Sequence, residues 1–186
     1  IEGFLEPPPI DVTALTRTNQ TEIVIANRVT KIGCNAFSNY KDVTSIFIPA
    51  SVTEIQNNAF EGCTSLTNLL VDSENTIFSS KNGVLFNKEQ TRLILCPNGM
   101  SGSYTIPDGV TEIESCAFKA CTSLTSITIP EGVTHIGSSA FFGCTRLKSV
   151  AISSSVVDIN FNAFYNCTDM TNVFVSADNA KFSSAD

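Results

Sequence analysis

The chain has 186 residues, a net charge of −7 and 42% hydrophobic against 16% charged residues. Such a balance excludes a nucleic-acid groove, which needs a clustered basic face, and disfavours docking on anionic lipid. No apolar run reaches the roughly 18–20 residues of a membrane span, so no membrane insertion is expected in this segment.

Residues 1–13 contain Glu6-Pro7-Pro8-Pro9 and read as an extended linker or N-terminal extension. Residues 14–186 are expected to form a single repeat domain. Ile23-Val24-Ile25 matches Ile127-Thr128-Ile129, so a degenerate repeat opens the array. Full copies start at Val29 (VTKIGCNAFSNYKDVTSIFIPAS) and Val52 (VTEIQNNAFEGCTSLTNLLVDSE). Three more start at Val110 (VTEIESCAFKACTSLTSITIPEG), Val133 (VTHIGSSAFFGCTRLKSVAISSS) and Val156 (VVDINFNAFYNCTDMTNVFVSAD). Each copy is 23 residues long. Repetition at such a period marks a solenoid, in which no copy buries its apolar face alone.

Within a copy the apolar spacing has a physical logic. Ala59, Phe60, Cys63 and Leu66 fall at i, i+1, i+4 and i+7, which predicts one face of a short helical or 3₁₀ turn. Leu69 and Val71 alternate and predict a strand with one buried face. Pro49, Pro107 and Pro130 follow their strands, where a missing N–H ends pairing. Phe37, Phe60, Phe118, Phe141 and Phe164 share one position and are expected to stack as a spine.

The period breaks in a 35-residue unit, residues 75–109. There Val84–Phe86 and Arg92–Cys96 read as two strands joined by the hairpin-length loop 87–91. Two threadings compete for the strand that continues the main sheet: Leu93–Leu95, or Tyr104-Thr105-Ile106. At the C-terminal end Asn179–Ser184 (NAKFSS) resembles Asn75–Ser80 (NTIFSS). The array is therefore expected to be truncated just inside another long unit.

These copies, with AFxxC followed by LxxIxIP and the long unit GVLFNK…PNGMSGSYTIP, resemble the BspA-type, or Treponema pallidum-type, leucine-rich repeats. The resemblance runs from about Ile23 to the end. It implies a leucine-rich-repeat solenoid, a β-rich right-handed coil with a parallel sheet on one face. It also implies a secreted or surface-anchored protein of host-associated bacteria or parasitic protists that adheres to host matrix, host cells or other microbes. Tyr40 departs from the pattern in the cysteine column, Met170 in the leucine column, and Asp72, Ser153 and Ser176 where other copies carry proline.

Seven cysteines are present. Cys63, Cys121, Cys144 and Cys167 share one repeat position and are expected as buried free thiols filling the core. Side chains pointing the same way approach each other badly for a disulfide, and no C-x-x-C suggests zinc. The lone His135 sits in a variable, exposed column with Lys31, Glu54, Glu112 and Asp158. Catalysis, metal and cofactor all lack a residue set, so no enzyme activity is expected. The triplets Asn19-Gln20-Thr21 and Asn166-Cys167-Thr168 are chance-level glycosylation matches.

The outward strand positions carry the functional expectation. One column runs Val24, Phe47, Leu70, then Thr128, Ala151 and Phe174. Its neighbour runs Glu22, Ser45, Asn68, then Ser126, Ser149 and Asn172. An apolar strip of Val24, Phe47 and Leu70 beside polar Ser45 and Asn68 suits a protein or glycoprotein ligand bound by a monomer. The competing readings are a structural spacer that presents another domain, or the non-catalytic part of a larger surface enzyme. A covering N-terminal segment would also explain the apolar strip.

Overall fold

The computed structural model describes residues 15–17 and 21–182; the expected linker 1–13 lies outside them. In chain order the strands are β1 (Leu15–Arg17), β2 (Glu22–Ile25), β3 (Lys31–Ile32), β4 (Ser45–Ile48), β5 (Glu54–Ile55) and β6 (Asn68–Val71). The long unit adds β7 (Phe78–Lys81), β8 (Val84–Asn87), β9 (Arg92–Leu95) and β10 (Ser101–Thr105). The array closes with β11 (Glu112–Ile113), β12 (Ser123–Thr128), β13 (His135–Ile136), β14 (Ser149–Ile152), β15 (Asp158–Ile159) and β16 (Asn172–Val175).

Each regular coil carries one longer strand and one two-residue strand, and like stacks on like in parallel. Ile23 pairs with Ile46 and Ile46 with Leu69. Tyr104, Ile127, Val150 and Val173 repeat that register after the long unit. The short strands stack as Ile32 on Ile55 and as Ile113, Ile136 and Ile159. Threonine hydroxyls reinforce the stacking: Thr67 and Thr134 each donate to the carbonyl 23 residues earlier, at Thr44 and Thr111. This is a β-solenoid, as the repeat spacing predicted.

One expectation needs correction. The segments around Ala59-Phe60 and their equivalents are turns, and no α- or 3₁₀-helix occurs among the described residues. The cause lies in where the amides go. In the first turn Ala36, Ser38 and Tyr40 close local turns onto Gly33, Asn35 and Phe37. The alternate amides of Phe37 and Asn39 instead donate across to Ala59 and Glu61 of the next coil. A helix would need all of them internally. Two left-handed residues four apart bend each turn: Asn35 and Asn39, Asn58 and Gly62, Cys116 and Ala120, Ser139 and Gly143, Asn162 and Asn166. Asparagine and glycine dominate because they tolerate that backbone best.

The long unit resolves the competing threadings. β10 joins the main sheet through Tyr104 and Ile127. Leu93 in β9 instead pairs with Ile113 and extends the short-strand sheet. β8 and β9 form the expected antiparallel hairpin, but β7 adds a strand that the sequence reading missed, antiparallel to β8. Its turn is Asn82-Gly83, both at positive φ, the strongest short-range hairpin signal. The inserted strands lie between two buried clusters. Leu85 and Phe78 enter the N-terminal cluster, while Val84 and Phe86 enter the C-terminal one. Alternation along β8 thus feeds two cores, which explains why Val-Leu-Phe is apolar without a break. The phenylalanine spine divides at the same place. Phe37 and Phe60 stack at 5.6 Å, and Phe118, Phe141 and Phe164 stack at 4.9 and 5.0 Å. Tyr104 packs against Phe118, with ring centroids 5.9 Å apart.

Candidate functional site

The strand face is built by residues whose neighbours along the chain are locked inward. Ile46, Ile48 and Leu69 are fully buried, so pleating sends Phe47 and Leu70 outward. Val24 aligns with Phe47 and Phe47 with Leu70, while Ser45 aligns with Asn68. Val24, Ser45 and Phe47 are half-buried and Asn68 is exposed; Leu70 is 46% exposed. Exposure along the strip therefore rises from half-buried Val24 and Phe47 to exposed Leu70. β1 pairs with β2 in the plane of the sheet, Thr16 beside Val24, so that strand flanks the strip. Beyond Leu70 the sheet is interrupted. The Asn82-Gly83 turn closes on β6, with the Leu69 amide donating to the Gly83 carbonyl and the Val71 amide to the Ser80 hydroxyl. The column resumes at Thr105, Thr128, Ala151 and Phe174.

The other singled-out residues sort differently. Cys63, Cys121 and Cys144 are buried free thiols and Cys167 is partly buried. Cys63, Cys144 and Cys167 donate to the carbonyls of Phe37, Phe118 and Phe141, at 2.9–3.2 Å. Burial pushes these three thiols above their ordinary pKa. Cys121 is raised first by its hydrogen bond with Cys96 and then by burial. A thiol held protonated is a poor nucleophile and a poor metal ligand. His135 is exposed, in register between Glu112 and Asp158, with Nδ1 2.7 Å from the Thr134 hydroxyl. Among the described residues no three metal-capable side chains converge. Asn166 holds a left-handed turn position, and Asn19 lies outside the described residues.

A cleft of about 110 Å³ opens between the turn at Gln56–Glu61 and the turn at Glu114–Lys119, floored by Leu85, Ile94 and Leu95. Its far rim is sutured by side chains. The Asn98 Oδ1 accepts from the Gly62 amide at 3.0 Å and its Nδ2 donates to the Lys119 carbonyl at 2.7 Å. Lys119 also pairs with Glu61 at 2.8 Å. Glu114 forms an ion pair with Arg92, yet burial keeps its carboxyl above the usual carboxylate range, with Arg92 opposing. The sequence did carry a signal for this cleft. Ile113 to Phe118 is five steps, but Leu93 to Cys96, which occupies the equivalent rung, is three.

The repeat model described as BspA type leucine-rich repeat region matches residues 9–102 and 98–185, in 6 copies. The chain belongs to the BspA-type leucine-rich-repeat family. Its fold is similar to that of a leucine-rich repeat protein from Eubacterium ventriosum, with 32% identity and a TM-score of 0.75 over 84% of this chain and 42% of that one. The pneumococcal vaccine antigen PcpA is similar in fold at 22% identity and a TM-score of 0.64, over 85% of this chain and 51% of its own. A comparison with curated proteins found no match. This BspA-type segment spans about half or less of the length of these two solved relatives. Among its described residues no helix is long and apolar enough to cross a membrane.

Proposed function

We propose that this segment is a non-catalytic protein-interaction module of a secreted or cell-surface protein, acting in adhesion to host matrix, host cells or other microbes. The observation that carries the reading is the in-register column Val24–Phe47–Leu70, flanked by Ser45 and Asn68, on a sheet whose inward residues Ile46, Ile48 and Leu69 are fully buried. Such a strip gives an apolar centre with a polar margin, the anatomy of a protein contact. Its geometry is fixed before binding, so little ordering entropy opposes association. The large side chains at the middle are the ones expected to dominate. Membership in a surface-protein family and a fold shared with a vaccine antigen support an extracellular setting. The partner is a protein or glycoprotein.

The test uses the double variant Phe47→Ser and Leu70→Ser against a panel of immobilised matrix proteins and cultured epithelial cells. Binding by the parent chain and its loss in the variant, with the fold retained and only a modest fall in melting temperature from the half-buried Phe47, is the expected result. Leu70→Ser alone should leave stability within about 0.5 kcal/mol, as for other surface changes. Retained binding by the double variant would place the contact elsewhere.

A further inference from the structure

We propose that the cleft between the 56–61 and 114–119 turns binds a short, uncharged peptide segment of a partner protein, supplying main-chain groups that the shortened coil omits. The site lies on the turn side of the coil, apart from the strand column, and does not depend on that column's role.

The rungs of an intact coil set the hydrogen-bond pattern. Cys116 and Phe118 donate their amides to the carbonyls of Ser138 and Ala140, and Ser139 and Phe141 donate to Phe161 and Ala163. The equivalent amides facing the cleft are those of Asn58 and Phe60. Neither has a partner among the described residues, nor does the Ser115 carbonyl on the opposite wall, which corresponds to the Ser138 acceptor. The Asn35 amide of a complete coil is open as well, so the Phe60 amide, whose equivalents at Phe37, Phe118 and Phe141 are all paired, is the one that the shortened coil leaves open. Phe60 is only 2% exposed, and an orphaned N–H at such a residue is rare because it forfeits its water without replacement. The next rungs are closed. Cys96 donates to the Ala117 carbonyl at 2.7 Å, and the Asn98 side-chain amide replaces one peptide group, accepting on one side and donating on the other. Asn98 shows that an amide supplied by another part of the chain satisfies this ladder. What stays open is the stretch that two absent residues would cover. It presents two donors two residues apart on one wall and an acceptor on the other, which is the pattern a main-chain segment meets.

The chemistry of the occupant follows from the walls. Lys119 is matched by Glu61 and Arg92 by Glu114, so the cleft selects no charge. The position equivalent to Ala59, Ala117, Ala140 and Ala163, all buried, faces an apolar floor and favours a small side chain. The residue before it is left-handed in every regular turn, at Asn35, Asn58, Cys116, Ser139 and Asn162, so glycine or asparagine fits there at least strain. The segment is therefore of the form small–Gly/Asn–Ala.

Acetyl-Ser-Gly-Ala-methylamide is the probe, titrated into the ¹⁵N-labelled chain. The Asn58 and Phe60 amide resonances should shift and saturate, while those of Phe37 and Phe118 stay in place. In the free protein the Phe60 amide should exchange with solvent faster than the Phe118 amide, and the probe should slow it. Ser115→Trp, which places a ring at the mouth, should weaken binding at least tenfold. Asn57→Trp blocks the same space from the opposite wall and replaces it should the first variant not fold. No shift at Asn58 or Phe60 by about 10 mM probe, beyond the weak millimolar range, would overturn the proposal. So would equal protection of Phe60 and Phe118 in the free chain. N-acetylglucosamine is the control, since its acetamido group also offers one acceptor and one donor. If it moves these amides as strongly as the peptide does, the site takes an acetamido sugar and the peptide assignment falls.

Discussion

At the scale of single residues, the column that begins the repeat shows what a substitution means. Val29 and Val52 are followed one period later by Asn75, and Val110, Val133 and Val156 by Asn179. Asn75 is fully buried. Its Nδ2 donates to the carbonyls of Pro49 and Val52 at 2.9 Å, and its Oδ1 accepts from Ile77 and Phe78. Asn179 repeats that network with Ser153, Val156, Lys181 and Phe182. The resemblance between NTIFSS and NAKFSS was legible in the letters. The reason for it was not, because the partners lie 23 and 26 residues upstream. Asn75→Ala strands these buried groups and should cost at least about 1–3 kcal/mol, read from urea unfolding. The cysteine column, by contrast, could be read directly as small buried filler. Its thiols should label slowly in the native chain and completely in denaturant without reductant. Failure to label in denaturant would mean that they are oxidised. Cys144→Ser keeps the hydrogen bond to Phe118 available, yet buries a more polar group, and should cost about 1–3 kcal/mol if the hydroxyl does not seat.

At the scale of elements, alternation identified the longer strand of each regular coil, since period 2 is local, whereas the two-residue strands such as Lys31–Ile32 are too short to show a period. The turns misled, because apolar residues at i, i+1, i+4 and i+7 satisfy a helical template equally well. Only the neighbouring coil decides, by taking every second amide. In the long unit the loop 87–91 gave away one hairpin, while β7 escaped because Phe78–Lys81 has one apolar residue in four. Asn82-Gly83 was the available clue. Gly83 has φ +80°, and a Cβ there would lie 2.3 Å from the Thr67 carbonyl oxygen. Gly83→Ala therefore meets both a left-handed backbone, about 1–2 kcal/mol, and a main-chain clash. The expected outcome is a loss above that figure in denaturant unfolding, with the amides of β6 and β7 losing protection before those of β14.

At the scale of the whole chain, the two buried clusters meet across β8, and the long unit both divides the array and joins it. The columns of the strand face were legible from spacing alone because a fixed period fixes register. Whether they bind was not, because exposure is not function. Stacking energetics offer a test of the array itself. In a solenoid each coil is stabilised by its nearest neighbours, so the worth of a core residue depends on how many it has. Phe118 is fully buried between Tyr104 and Phe141. Phe164 stacks on Phe141 alone and is only partly buried. Phe118→Ala should cost about 3–5 kcal/mol, the range for truncating a buried aromatic ring. Phe164→Ala removes one stacked contact and part of the burial, and should cost clearly less in this 186-residue chain. Chemical denaturation of both variants, followed by near-ultraviolet and far-ultraviolet signals, measures the difference. Equal losses would mean that the last coil is as fully supported as the middle one, contrary to nearest-neighbour stacking.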